Sequence, residues 1–307
     1  MSLLSLLIAL AAERSFSGKV WHFNFYYQHY LHFFGQNFTA KHGTAASIAF
    51  IILPVVATYF LLQIIDNSII QLLISTLVLI VCFGCATTRN SYKAYLHSAF
   101  RGEETTTEMH HQQLLSDKNL PNMGFGQALI WLNYRYYIAI MLYFTVFGAA
   151  GALFYRLLTT VIEHKKAECI ASAYENKVQA EASSISENDA APEPLHEGNI
   201  APNIENGCQS HHDVLFWLDW LPVRIASFGY MFVGHFSKAM PVWLESLFDN
   251  QKPTHQVLID VAEKSEDIMV NEDDCTAEPC LLVRLAKRNV LLVLAVISIL
   301  TLAGLLN

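Results

Sequence analysis

The sequence predicts an all-α, membrane-embedded helical bundle with short amphipathic helices on its cytoplasmic side, and three observations carry that prediction. Four apolar stretches, each without a charge, are long enough to cross a bilayer. Only 15% of the 307 residues are charged, against 53% hydrophobic, whereas a soluble domain runs nearer about a quarter charged. Lys and Arg gather at the ends of the apolar stretches. A mean hydropathy of +0.31 points the same way.

A helix crosses a hydrocarbon core of roughly 30 Å with about 20 apolar residues, because it satisfies its own backbone groups at ~1.5 Å per residue. Residues 44–65 form the first such stretch, with Pro54 near its middle, and 69–87 the second. The third, 138–155, is entered through Tyr134, Tyr136 and Tyr137; the fourth, 289–306, follows Arg284, Lys287 and Arg288. The run 2–12 is too short to span. Ala9-Leu10-Ala11 has the small residues of a signal-peptidase site, yet no basic residue precedes it and Glu13-Arg14 follows at once. It therefore reads as a retained embedded or interfacial helix. The aromatic segment WHFNFYYQHYLHFF suits the headgroup level, where Trp and Tyr find an apolar and a wet neighbour.

These features divide the chain into an N-terminal membrane region (1–160), an acidic linker (161–211), an amphipathic polar block (212–286) and a C-terminal span (287–307). Residues 178–211 contain six acidic residues, no Lys or Arg and no apolar periodicity, so the linker is expected to be disordered. The connection Asp66-Asn67-Ser68 lacks basic residues and is placed outside the cell, whereas 88–137 carries Arg89, Lys93, Arg101, Lys118 and Arg135 and is placed in the cytoplasm. Arg156, Lys165 and Lys166 then put the far end of the third stretch in the cytoplasm too. Either the run containing Gly148-Ala149-Ala150-Gly151 folds back on itself, the preferred course, or 214–234 crosses again despite Asp219 and Arg224.

A net charge of −8 excludes a nucleic-acid binder, which needs a basic face for phosphates. Cys82 and Cys85 form a C-x-x-C inside an apolar run, where two thiols one turn apart act as small hydrophobes. Cys169, Cys208, Cys275 and Cys280 give no disulfide framework. His110-His111 point apart on a helix, and His22, His29 and His32 lack companions at ligand spacing, so no metal site is expected. No motif specifies a cofactor or a catalytic nucleophile.

Two constellations place polar side chains beside apolar ones at a membrane boundary, where they are costly unless paired or facing a wet cavity. One is Trp131-Leu132-Asn133-Tyr134-Arg135-Tyr136-Tyr137. The other is Leu218-Asp219-Trp220-Leu221-Pro222-Val223-Arg224, followed by His235 and Lys238. Asn133, Arg135, Asp219, Arg224, His235 and Lys238, with Glu13 and Arg14 at lower weight, form a candidate polar pocket. Its guanidinium groups suit a phosphate- or carboxylate-bearing small ligand. The structural alternative is that Arg135 and Arg224 snorkel to headgroups, or that Asp219 and Arg224 form a local pair.

The same blocks, ALIWLNYRYYIAIMLYFTVFGAAGALFYRLL and LDWLPVRIASFGYMFVGHFSKAMPVWLESLFD, resemble the AmpE family, as do Glu13-Arg14 and Tyr92-Lys93-Ala94-Tyr95-Leu96. The likeness covers nearly the whole chain apart from the acidic linker. It implies a four-span, multi-pass protein of the bacterial inner membrane that modulates β-lactamase induction and the muropeptide stress response. It also implies a functional link to a cytoplasmic muropeptide amidase and no settled catalysis. More distantly, Asn133, Asp219, Trp220, Pro222 and Arg224 match the CobD/CbiB cobalamin-biosynthesis synthases. That likeness gives the alternative of a membrane-embedded synthase or ligand-binding protein. An Asn-Thr-Leu-Asp-Ser-Met stretch of those enzymes is replaced here by Leu157-Leu158-Thr159-Thr160-Val161-Ile162-Glu163, so the aspartate of that stretch is missing.

Overall fold

The computed structural model describes residues 2–13, 18, 21–34, 44–83, 86–184, 201–249, 251–266 and 276–305. Among them every regular element is helical: α1 (Ser2–Glu13), α2 (Phe23–Phe34), α3 (Thr44–Ile64), α4 (Ser68–Phe83), α5 (Ala86–Phe100), α6 (Glu104–Asp117), α7 (Phe125–Asn133), a π-helical turn (Tyr134–Ile138), α8 (Ala139–Ser184), α9 (Ala201–Val233), α10 (Phe236–Phe248), α11 (Thr254–Ser265) and α12 (Ala277–Leu302). The chain is an all-α helical bundle.

Helices α3 and α4 follow the two uncharged stretches and are joined by the short connection at 65–67, and each packs on α8 rather than along the other. The Asn67 side chain accepts the Ile69 amide at 3.0 Å and so caps α4. Gln71 donates to the carbonyls of Leu62 and Ile65, each at 2.9 Å, satisfying the open end of α3. Helix α1 lies in the core beside α4: Leu6, Ala9, Leu79 and Cys82 are all fully buried together. Helix α2 turns one face into the bundle, where Phe23 and Tyr27 are buried with Phe50, Leu157 and Val161, while Phe25, Tyr26 and Phe33 stay outside.

The third apolar stretch is not one straight span. Gly148 has φ 67° and ψ −159°, a conformation open in practice only to glycine. The chain reverses there, so α8 has an ascending arm before Gly148 and a returning arm after it. In a straight helix Tyr134 and Tyr155 would stand about 31 Å apart; here both hydroxyls reach one carboxylate. Tyr143 and Tyr155 stack at 4.8 Å across the arms. The bend sits beside Gln63, Gln71 and Ser75, at the end of the bundle that holds the α3–α4 connection. Of the two courses left open by the charge distribution, the chain takes the one that folds back at 148–151.

Two boundaries differ from expectation. The stretch 161–211 is not without structure, because α8 runs on to Ser184 and α9 begins at Ala201; residues 185–200 lie outside the described residues. Ala, Glu, Lys and Gln are strong helix formers, and extending a nucleated helix costs far less than starting one. Helix α12 begins at Ala277, well before 287, because Leu282, Leu285 and Ala286 recur at helical spacing and are buried. Leu282 packs against Gly126 of α7, where a Cβ would meet it at 2.8 Å.

Prolines inside two helices explain two of the cross-links. Pro54 and Pro222 have no amide hydrogen, so the carbonyls four residues earlier, Phe50 and Leu218, lose their helical donor. A tyrosine from another helix replaces it in each case. Tyr30 donates to the Phe50 carbonyl at 3.0 Å, and Tyr143 donates to the Leu218 carbonyl at 3.1 Å.

This pairing predicts a rescue. Tyr143→Phe orphans the Leu218 carbonyl and should cost about 1–3 kcal/mol. In a Pro222→Ala background the helix supplies its own donor, and the Tyr143→Phe penalty should fall by at least half. Unfolding midpoints of the four proteins in detergent check this; equal penalties in both backgrounds would refute it.

Candidate functional site

The π-helical turn Tyr134–Ile138 sets the geometry of the centre. One extra residue per turn swings consecutive side chains to new bearings, as such turns do at many functional sites. Tyr134 reaches α9, where its hydroxyl donates to Asp219 Oδ1 at 2.7 Å. Tyr155, on the returning arm of α8, donates to the same oxygen at 2.8 Å. Asp219 is 1% exposed and both tyrosines are fully buried. One carboxylate therefore ties both arms of the hairpin to α9.

The next residues of the turn build outward from this clasp. Arg135 donates through Nη1 to Glu163 Oε1 at 2.8 Å and lies 5.1 Å from the Trp131 ring, so a second bond links the two arms. Tyr136 accepts from Lys118 Nζ at 3.2 Å and carries the Arg156 guanidinium over its ring at 4.5 Å. Tyr137 stacks on Phe83 of α4 at 5.7 Å. Burial alone would lower the Lys118 pKa, but the Tyr136 hydroxyl and the Glu163 carboxylate hold it above the usual lysine range. A cavity of about 480 Å³ opens here, lined by His22, Asp117, Lys118, Tyr136, Arg156 and Glu163 among others.

The structure divides the sequence-predicted residues among several places. Arg135 and Asp219 share the centre and attract each other electrostatically. Arg224 does not join them. Its guanidinium donates to the carbonyls of Trp220, Ser246, Leu247 and Asp249 at 3.0–3.2 Å and lies over the Trp220 ring at 4.1 Å. It closes the C-terminus of α10, where carbonyls and helix dipole favour a cation, rather than forming a pair with Asp219. His235 caps α10 at its other end, and both its amide and its ring Nδ1 meet the Ser265 carbonyl. Lys238 is exposed on α10. Asn133 precedes the clasp by one residue, and its buried Oδ1 has no partner among the described residues. Glu13 is paired across the bundle with Arg89 at 3.0 Å, while Arg14 lies outside the described residues.

Several central residues carried a sequence signal that was read for something else. Tyr134 and Tyr136 stand in the aromatic cluster at the entrance to the third apolar stretch. Arg156 served only as a topology charge and Glu163 only as a departure from the cobalamin synthases. None advertises its partner, because Tyr155, Arg156 and Glu163 meet residues 134–136 only after the reversal at Gly148.

All of these site residues except Glu163 and the undescribed Arg14 lie within the described part of a match to a family profile described as "Regulatory signalling modulator protein AmpE", which covers residues 1–162 and 203–307. The chain belongs to the AmpE family. Protein AmpE of Shigella flexneri is 26% identical over 319 aligned positions that cover 99% of each chain. No solved structure matches. The AmpE profile leaves 163–202 unmatched, which is the polar extension of α8 and the segment before α9. The clasp residues Tyr134, Tyr155 and Asp219 and the bend at Gly148 all fall inside the AmpE match. The chain is thus a regulatory signalling modulator of the AmpE type and a membrane protein, with three helices in the described residues long and apolar enough to cross a bilayer. One of those three, 125–168, contains the reversal and is two arms.

Asp219→Leu should orphan two buried hydroxyls at about 1–3 kcal/mol each, and Asp219→Asn, which keeps an accepting oxygen, should cost less than half as much. Arg224→Ala should also destabilise, but its effect should add to that of Asp219→Asn within about 0.5 kcal/mol, because the two share no partner. A double-mutant cycle on unfolding midpoints reads this out, and strong coupling would restore the single-pocket arrangement.

Proposed function

We propose that the chain works as a multi-pass inner-membrane modulator of β-lactamase induction and of the muropeptide stress response, transmitting a conformational change rather than turning over a substrate. The observation that carries the reading is the clasp. Its carboxylate and hydroxyls lie buried against one another, with their hydrogen bonds spent on three helix segments. A centre of that kind is suited to hold or exchange helix arrangements, because a packed, bistable interface amplifies small shifts.

The lipid bilayer is the first partner. On α9 the exposed apolar residues Val214, Trp217, Leu221, Ile225, Phe228 and Phe232 recur at helical spacing along one face, a stripe suited to hydrocarbon. Val146 and Phe147 stand exposed at the bend of α8. The second partner is functional: a cytoplasmic muropeptide amidase pathway, reached through the polar helices α5 and α6 and the amphipathic helices α10 and α11. The profile and the Shigella relative both carry the AmpE description, and neither points to the cobalamin synthases.

Deletion of the gene in the organism that encodes it should change the β-lactamase level reached after exposure to a β-lactam inducer. The wild-type chain should restore that level, whereas Asp219→Leu, produced in equal amount in the membrane, should not. Unchanged induction in the deletion strain would overturn the proposal. Full complementation by Asp219→Leu would remove the clasp from it.

A further inference from the structure

Arg156 is 5% exposed, yet its Nε and Nη1 hydrogens meet no acceptor among the described residues. Its faces are occupied, with Tyr136 at 4.5 Å and Phe23 at 5.2 Å. Stacking engages the π face of a guanidinium and leaves its N–H edge unused. The nearest carboxylate of its own helix, Glu163, is taken by Arg135 at 2.8 Å. A second cation, the Lys118 ammonium, stands 5.2 Å from the centre of the same Tyr136 ring. Two cations thus converge on one aromatic ring at the edge of a cavity of about 480 Å³. A buried guanidinium without an acceptor is expensive, and a cavity of this size is in the range of small-molecule sites.

We propose that this cavity is a binding site for a phosphate group, with Arg156 as the fork and Lys118 as the point charge. The cavity exceeds a bare phosphate, and its remaining wall offers His22, Asn24, Gln28 and Asp117, groups that suit a polar substituent bearing hydroxyl or ammonium donors. The occupant is therefore a phosphate ester. A phospholipid headgroup and a soluble phosphorylated metabolite share that chemistry. The site stands on the hairpin geometry alone, so loss of the induction phenotype and loss of phosphate binding are separate results.

The test uses the full chain in detergent. Native mass spectrometry detects any phospholipid retained through purification, and thermal unfolding is followed against inorganic phosphate with chloride at matched ionic strength as control. For a soluble occupant, phosphate should raise the midpoint saturably while no lipid is retained. For a headgroup, the wild type should hold a phospholipid that Arg156→Gln loses, and phosphate should act only after delipidation. In either case Arg156→Gln abolishes the effect, and Lys118→Met should raise the half-saturating phosphate about tenfold, the loss of roughly one charge-assisted contact. Lys118 lies outside the apolar stretches, so its variant keeps the test readable if Arg156→Gln fails to fold. No retained lipid and no phosphate-specific shift, with Arg156→Gln as stable as the wild type or more so, would overturn the proposal and leave stacking as the whole role of Arg156.

Discussion

The structure depends on one buried carboxylate. Asp219 Oδ1 accepts two phenol hydroxyls that belong to helix arms running in opposite directions, and this requires the chain to double back between residues 134 and 155. Gly148 supplies the turn, since its φ of 67° would strain any residue with a Cβ. The π-helical turn supplies the aim, swinging Tyr134 toward α9 while Arg135 and Tyr136 face the returning arm. Remove the shared acceptor and two buried donors are stranded inside an apolar bundle, where each costs more than in water.

Around that clasp the remaining polar groups fall into two kinds. Arg224, His235, Gln71 and Asn289 answer local backbone demands. They close helix ends or, as Asn289 does for the Ala226 carbonyl at 3.0 Å, bind a neighbouring helix where Gly229 leaves room beside it. Tyr30 and Tyr143 belong with them, each repairing a carbonyl released by a proline. The second kind faces the cavity. Arg156 and Lys118 share the Tyr136 ring, and Arg156 brings to the cavity edge two N–H groups that meet no acceptor among the described residues. The modulator's rigid centre and its ligand-reachable edge are therefore adjacent, both built on residues 134–136.

How much of this was legible follows from the range of each signal. Helices α3 and α4 could be read directly, because run length and the Asp66-Asn67-Ser68 connection, free of Lys and Arg, are local. Family membership was legible in the two blocks around Arg135 and Asp219. The reversal at Gly148 was indicated only indirectly, by basic residues on both sides of an apolar run. Arg224 and Asp219 are apart for a geometric reason: five residues along a helix turn them to different faces, and three of the four carbonyls that hold Arg224 lie at the C-terminal end of α10. The flanks of the linker, up to Ser184 and from Ala201, are helical because helix propensity continues where burial ends. No local pattern could announce the Tyr134, Tyr155 and Asp219 clasp, which joins residues up to 85 positions apart.

The central claim is that the chain reverses at Gly148 and returns to the side it left. Single cysteines at Asn122 and Glu168, introduced into a chain lacking its native cysteines and producing a normally folded protein, test it directly. An impermeant maleimide applied to intact cells should leave both unlabelled, and both should react once the membrane is opened from the cytoplasmic side. Labelling of Glu168→Cys from outside while Asn122→Cys stays protected would mean a single straight span between them. The two-armed clasp on Asp219 would then not exist.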